Sequence, residues 1–197
     1  MLGQIAVFLI DTVATFMVLL LLARFHFQWL RVPFHNPAGE FVLAATNWIA
    51  VPARRMIPGI AGLDLPTLLL AWALQGLGLW IQAALAGHEP GIAPLAALAA
   101  VDMLRYSLYI LVFAIIVQVV FSWVNPHAPF APMFDLLTRP FLRPLRRFVP
   151  PIGNIDLTPL VLLVIVQVLL ILVKPTIVIQ REQEQRQFPL LSTRIAQ

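Results

Sequence analysis

A chain of 197 residues that is 60% hydrophobic and only 11% charged, with a mean hydropathy of +0.89, has too little polar surface to cover a soluble domain, since soluble domains average about 25% charged residues. The absence of cysteine excludes disulfides, thiolate metal sites and covalent c-type haem attachment. The net charge of +4 comes from twelve arginines and one lysine against nine acidic residues, and on so apolar a chain this excess points to membrane orientation and anionic lipid, not to nucleic acid.

The apolar runs are long and continuous, without the period-2 alternation of barrel strands. They predict an all-α, polytopic membrane protein with four transmembrane helices. The first span is Leu2–Ala23 or slightly longer. It lacks a basic leader and a small-x-small cleavage pattern, and Asp11 interrupts it, so it reads as a retained helix and not as a cleaved signal. Next comes a connection in which Glu40–Ile57, wound at about 100° per residue, puts Glu40, Asn47, Arg54 and Arg55 on one side. Phe41, Ala45, Trp48, Ile49, Pro52 and Met56 take the other, the pattern of an amphipathic segment lying in the interface.

The second span is Leu65–Leu85, in which Gly76 and Gly78 permit close helix approach. The third lies within Pro94–Val124, longer than one crossing and too short for two. Asp102 and Arg105 mark its start, leaving Pro94–Val101 as an interfacial piece or a helical extension. In Pro132–Val149, Arg139, Arg143, Arg146 and Arg147 share one sector, with Phe134, Leu137, Phe141, Leu145 and Phe148 opposite. Pro140 and Pro144 are expected to break this second amphipathic segment into turns. The fourth span is Leu157–Val173, with a continuation to Ile179, and the polar tail 180–197 is read as solvated.

The chain repeats itself. ARRMIPGIAGLDLPTLLLAWALQ (53–75) aligns without a gap on LRRFVPPIGNIDLTPLVLLVIVQ (145–167), a shift of 92 that matches Arg54–Arg55 with Arg146–Arg147, Asp64 with Asp156 and Gln75 with Gln167. Upstream, FHFQWLR (25–31) matches VVFSWVN (119–125) at a shift of 94. The organisation is thus a first repeat (1–86), a connection (87–102), a second repeat (103–179) and the tail. Two crossings separate equivalent points, so the repeats are expected to be parallel, related by a pseudo-two-fold axis along the membrane normal. Residues 24–63 and 125–155 each carry four arginines and one acid. Positive-inside reasoning therefore puts both connections in the cytoplasm and both termini outside.

The segments FHFQWLRVPFHNP (25–37), TNWIAVPARRMIP (46–58) and LDLP (63–66), with FSWVNP (121–126) and LTRPFLRPLRRFVPPIGNIDLTP (137–159), resemble the YggT family of small integral membrane proteins. The unit of that family occurs once or twice per chain, and the resemblance covers most of residues 10–175. The first copy departs from the second where Trp48 stands for Pro140 and Ala53 for Leu145. The resemblance implies the bacterial inner membrane and a role in organising or assembling membrane complexes. Members are associated with cell-division organisation, osmotic stress and, in plastid relatives, cytochrome b-type haem assembly.

The candidate residues divide by chemistry. Arg54, Arg55, Arg139, Arg143, Arg146 and Arg147 fit contact with anionic lipid headgroups or an acidic partner, or pure topology signalling. Asp64 and Asp156 precede spans, where aspartate caps a helix, and each has an Arg-Arg pair upstream. Gln75, Gln118 and Gln167 suit interhelical hydrogen bonds. Asp11 and Arg105 correspond at the shift of 94, so an ion pair between them is expected to fasten the two copies. His26, His35, His88 and His127 lack HxxxH or HExxH spacing and read as interfacial residues, with no metal or cofactor expected. Ser122 has no GxSxG around it and no glycine-rich phosphate loop occurs, so an enzyme is disfavoured. The expected partners are membrane lipids, a membrane protein or a second copy of the chain. The alternative is a small ion channel or transporter acting in osmotic response, against which no helix has a continuous polar face. A third reading is a structural lipid-binding protein.

Overall fold

The computed structural model describes residues 2–57, 59, 63–85, 87, 89–125, 128, 130–149 and 156–173. Their regular structure is six helices in chain order: α1 (Leu2–Trp29), α2 (Pro37–Met56), α3 (Leu65–Leu85), α4 (Ile92–Val124), α5 (Ala131–Leu145) and α6 (Thr158–Leu172). α1, α3 and α4 are long and apolar enough to cross a bilayer, whose core needs about 20 helical residues. α6 is equally apolar but has 15 residues, about 22 Å of helix. Three described helices therefore reach spanning length, and the described part of the fourth expected span is shorter. The continuation to Ile179, the tail 180–197, His88 and His127 lie outside the described residues.

Local sequence sets the helix limits. Val32 N–H returns to the Phe27 carbonyl at 2.8 Å, and Arg31 takes the left-handed φ of 54° that such a helix end requires. Asn36 then starts α2, its Oδ1 accepting from Gly39 N–H at 2.9 Å with Pro37 in the first turn. Residue 39 has to be glycine, because a Cβ there would stand 2.6 Å from the Phe34 carbonyl oxygen.

α4 runs unbroken through 33 residues, so of the two alternatives for Pro94–Val101 the helical extension holds. The expectation for the second amphipathic segment is corrected. α5 continues through Pro140 to Leu145 instead of breaking into turns. Both proline rings of α5 sit on its exposed face, where the carbonyls that lose their donors are not sealed in the core.

Each half is built alike: α2 rests on α1 and α3, and α5 rests on α4 and α6. The halves meet where α3 packs between α1 and α4. Val18, Leu21 and Leu22 of α1 close on Ala71 of α3 and Met103 of α4. A second cluster joins Leu20 and Phe27 to Ala114 of α4 and Phe134 of α5. Of the two glycines expected to permit close approach, Gly76 does so, its Cβ direction meeting Ala99 Cβ at 3.9 Å, whereas Gly78 faces open space.

Candidate functional site

The amphipathic helices use their faces in opposite ways. α5 buries Met133, Phe134, Leu137, Thr138 and Leu142 against the bundle. Arg139, Arg143, Arg146 and Arg147 all point outward, and so does Phe148, which sequence reasoning had grouped with the packed side. α2 instead buries the small residues Gly39, Val42, Thr46 and Ala50. Phe41, Trp48 and Met56 are exposed, Trp48 at 66%. An apolar face left outside the protein is what a helix at a lipid interface requires.

Beneath α2 lies a polar node that sequence reasoning missed. Arg24 of α1, counted there only as connection charge, is 2% exposed. Its Nη1 donates to Thr46 Oγ1 at 2.8 Å and to Asn47 Oδ1 at 2.9 Å, and its Nε lies 3.9 Å from Asp64 Oδ2. Asp64, also 2% exposed, is gripped by Arg54, whose Nε donates to Oδ1 at 3.1 Å and whose Nη2 donates to Oδ2. Arg54 Nη2 also donates to Gln28 Oε1 at 2.8 Å. Thr67 Oγ1 donates to the same carboxylate, and the Asp64 carbonyl accepts from Leu68 N–H at 3.2 Å, which places Asp64 at the start of α3. Burial alone would push the Asp64 carboxyl up, but the hydrogen bonds from Arg54 and Thr67 outweigh it and hold the group below the usual carboxylate value.

The second half carries an exposed counterpart. Arg146 Nε and Nη2 each lie 3.1 Å from Asp156 Oδ2, and Asp156 Oδ1 accepts from Thr158 N–H at 2.9 Å. Despite partial burial, the bonds from Thr158 and the charge of Arg146 hold this carboxyl below its usual value as well. Where the first half has Arg24, the shift of 94 places Gln118. Gln118 accepts from Thr138 Oγ1, and its Nε2 donates to Asp135 Oδ1 at 3.4 Å. Arg139 pairs with Asp135 on the outer face, while Arg55, Arg143 and Arg147 have no side-chain partner among the described residues.

A third polar group sits between the helices that join the halves. Gln75 Nε2 donates to Asp102 Oδ2 at 2.9 Å, and Arg105 Nη1 lies 3.9 Å from Asp102 Oδ1. Arg105 Nη2 donates to Tyr109 Oη at 3.1 Å. Asp11 instead accepts from Gln82 Nε2 of α3 at 2.6 Å. The expected Asp11–Arg105 pair is therefore not among the ion pairs of the described residues. Asp11 faces α3, the helix α1 packs on most closely, while Arg105 lies along its own helix. Gln167 is exposed on α6 and makes no hydrogen bond among the described residues. His26 Nδ1 donates to the Leu22 carbonyl at 2.6 Å, and His35 is exposed. No three His, Asp or Glu side chains converge among the described residues.

The model of the CCB3/YggT family matches residues 3–85 and again residues 97–177, so the two matches start 94 residues apart and end 92 apart. An uncharacterized protein of Pseudomonas aeruginosa is 32% identical over 81% of the chain and 83% of the relative. The uncharacterized protein YggT of Escherichia coli K12 is 32% identical over 82% of the chain and 85% of its own length. An uncharacterized protein of Vibrio alginolyticus is 31% identical over 80% of the chain. None of these names states an enzymatic activity. No solved structure matches.

Proposed function

Since the chain belongs to the CCB3/YggT family, we propose that it is a non-enzymatic protein of the bacterial inner membrane that organises or assists the assembly of membrane complexes. It spans the membrane four times as two parallel repeats, with α2 and α5 in the cytoplasmic interface and both termini outside. The outer face of α5 and of the turn after it is the contact surface, for anionic headgroups or an acidic partner.

One observation carries this reading: α5 buries Met133, Phe134, Leu137 and Leu142 in the bundle and turns Arg139 and Arg143 outward, and the turn that follows it turns Arg146 and Arg147 outward as well, with Arg143 and Arg147 unpaired among the described residues. A topology signal needs charge but no defined backbone. Here the charge is mounted on a helix fixed against α4 and α6 and on the turn that ends it, which suits recognition. Each basic residue near an anionic surface contributes about 1 kcal/mol.

The test is crosslinking of the tagged protein in its own membrane, read by mass spectrometry. The comparison is a variant with Arg139, Arg143, Arg146 and Arg147 all changed to Gln and shown to insert normally. A stoichiometric protein product that disappears in the variant is expected. Self-products alone, unchanged by the substitutions, would sink the assembly role.

A further inference from the structure

The contact between the halves uses one face of α3 and one face of α4. Gly76 meets Ala99, Trp72 Nε1 donates to the Ala96 carbonyl at 3.0 Å, and Leu79 packs with Leu95 and Ala99. Gln75 supplies the polar part, its Nε2 donating to Asp102 Oδ2 at 2.9 Å.

α6 stands to the second half as α3 does to the first, and α1 stands to the first as α4 to the second. The shift of 92 carries Trp72, Gln75, Gly76 and Leu79 onto Val164, Gln167, Val168 and Ile171 of α6. All four are exposed. The shift of 94 carries Ala99, Asp102 and Met103, which are buried on α4, onto Ile5, Phe8 and Leu9 of α1, which are 56%, 66% and 55% exposed. Phe8 cannot accept a hydrogen bond as Asp102 does, but Thr12, one turn along the same helix, is an exposed hydroxyl that donates to its own helix at Phe8 and keeps its acceptor side free. The described residues of α6 pack on α4 and α5 and make no comparable packing on α1.

The chain thus shows an interface once and carries the equivalent positions of both its sides a second time, exposed, on α6 and α1, with the glutamine kept and the small pair Gly76–Ala99 replaced by the larger Val168 and Ile5. We infer that α6 of one copy packs on α1 of a second copy of this chain, as α3 packs on α4, with Val168 against Ile5 and Gln167 donating to Thr12. The contact is heterologous, so repetition generates a closed ring or a chain of copies in the membrane plane. Pairing with Thr12 also removes Gln167 from hydrocarbon, where an unpaired polar group is costly. This inference rests on the four-span, parallel-repeat reading above.

The test exploits the absence of native cysteine. One copy carries Val168→Cys and one tag, the other Ile5→Cys and a second tag, and both are oxidised together in the membrane. Disulfides need Cβ atoms about 4 Å apart, so the expected result is about tenfold more two-tag product than when Phe113→Cys, on the outer face of α4, replaces Val168→Cys. A single chain with Gly76→Cys and Ala99→Cys, whose Cβ positions are 3.9 Å apart, shows that oxidation proceeds in the bilayer. If that control closes and no excess of two-tag product forms, the inference falls. It also falls if a chain carrying both Ile5→Cys and Val168→Cys closes only on itself. Single Met56→Cys and Phe148→Cys variants, each 84% exposed, separate the two levels. Labelling of both from the same membrane face leaves the parallel repeats standing when the interface fails. Labelling from opposite faces overturns the repeats themselves.

Discussion

Arg54 reaches Asp64 across ten residues of chain, and Arg146 reaches Asp156 across the same ten. The contact is the same in both halves, but the surroundings differ. Asp64 is 2% exposed with Arg24 as a second cation, whereas the side chain of Asp156 is 40% exposed. Removing one partner of a buried pair costs about 3–5 kcal/mol because a buried charge is left behind. Exposed pairs are worth about 0–1 kcal/mol. Asp64→Asn is therefore expected to destabilise the protein by several kcal/mol and Asp156→Asn by about 1 at most, as measured by denaturant unfolding in mixed micelles. Equal effects at the two sites would refute the assignment of the difference to burial.

Arg24 and Asp64 should be energetically coupled. Arg24→Gln places in the first half the residue type that the second half holds at position 118. It removes a buried cation, so Asp64 keeps only Arg54, and Thr46 and Asn47 keep a neutral donor. Side chains in one polar network couple by about 0.5–3 kcal/mol. The cycle of Arg24→Gln, Asp64→Asn and the double variant is expected to give a double variant more stable than the sum of the single losses. Strict additivity would show that the 3.9 Å approach of Arg24 to Asp64 carries no energy.

Acid should act through the same carboxylate. Asp64 is held below its usual value in the folded state, so the unfolded chain takes up the proton first. Its contribution is complete above the ordinary aspartate range of about 3.9 and is lost as pH falls through the lower folded value. Unfolding followed from pH 6 to pH 2, in order-of-magnitude terms about one such carboxylate's worth of linkage, is expected to show a steeper acid loss in the wild type than in Asp64→Asn. Parallel curves would assign the acid response to other groups.

Much of this architecture was legible in the sequence because it depends on local pattern. The apolar runs gave α1, α3 and α4, and the shift of 92 had already aligned both members of the Arg54–Asp64 and Arg146–Asp156 pairs. Arg24 was not legible. Its partners lie 22, 23 and 40 residues away and come within reach only once α2 is laid over α1 and α3. A signal was present in the alignment itself, since the shift of 94 sets Arg24 against Gln118, two polar residues at one depth of equivalent apolar helices. The Asp11–Arg105 expectation failed because equivalence under a repeat does not imply contact. Asp11 turns toward Gln82, and Arg105 toward Asp102 and Tyr109. The inward and outward faces of α2 were blurred for a related reason. The helix packs through Gly39, Thr46 and Ala50, small residues that let backbones approach closely but weigh little in a hydropathy pattern.

That arrangement of α2 makes a final prediction. Trp48 is 66% exposed and its indole N–H is already satisfied by the Ala45 carbonyl at 2.8 Å. With its donor occupied by its own helix, the ring can enter the headgroup–acyl boundary without losing a hydrogen bond, the position that interfacial tryptophans favour. In a variant retaining Trp48 as its sole tryptophan, emission is expected to be blue-shifted in vesicles and strongly quenched by lipids brominated near the top of the acyl chain. Bromine near the chain end should quench much less, since interfacial helices sit only about 5–10 Å into the boundary. Replacing Phe41 and Met56, two other exposed apolar residues of this face, by Ser should weaken the quenching by letting the helix ride higher. Emission at the wavelength of a water-exposed indole, indifferent to the brominated lipids, would show that the outward face of α2 meets solvent or protein and not the membrane.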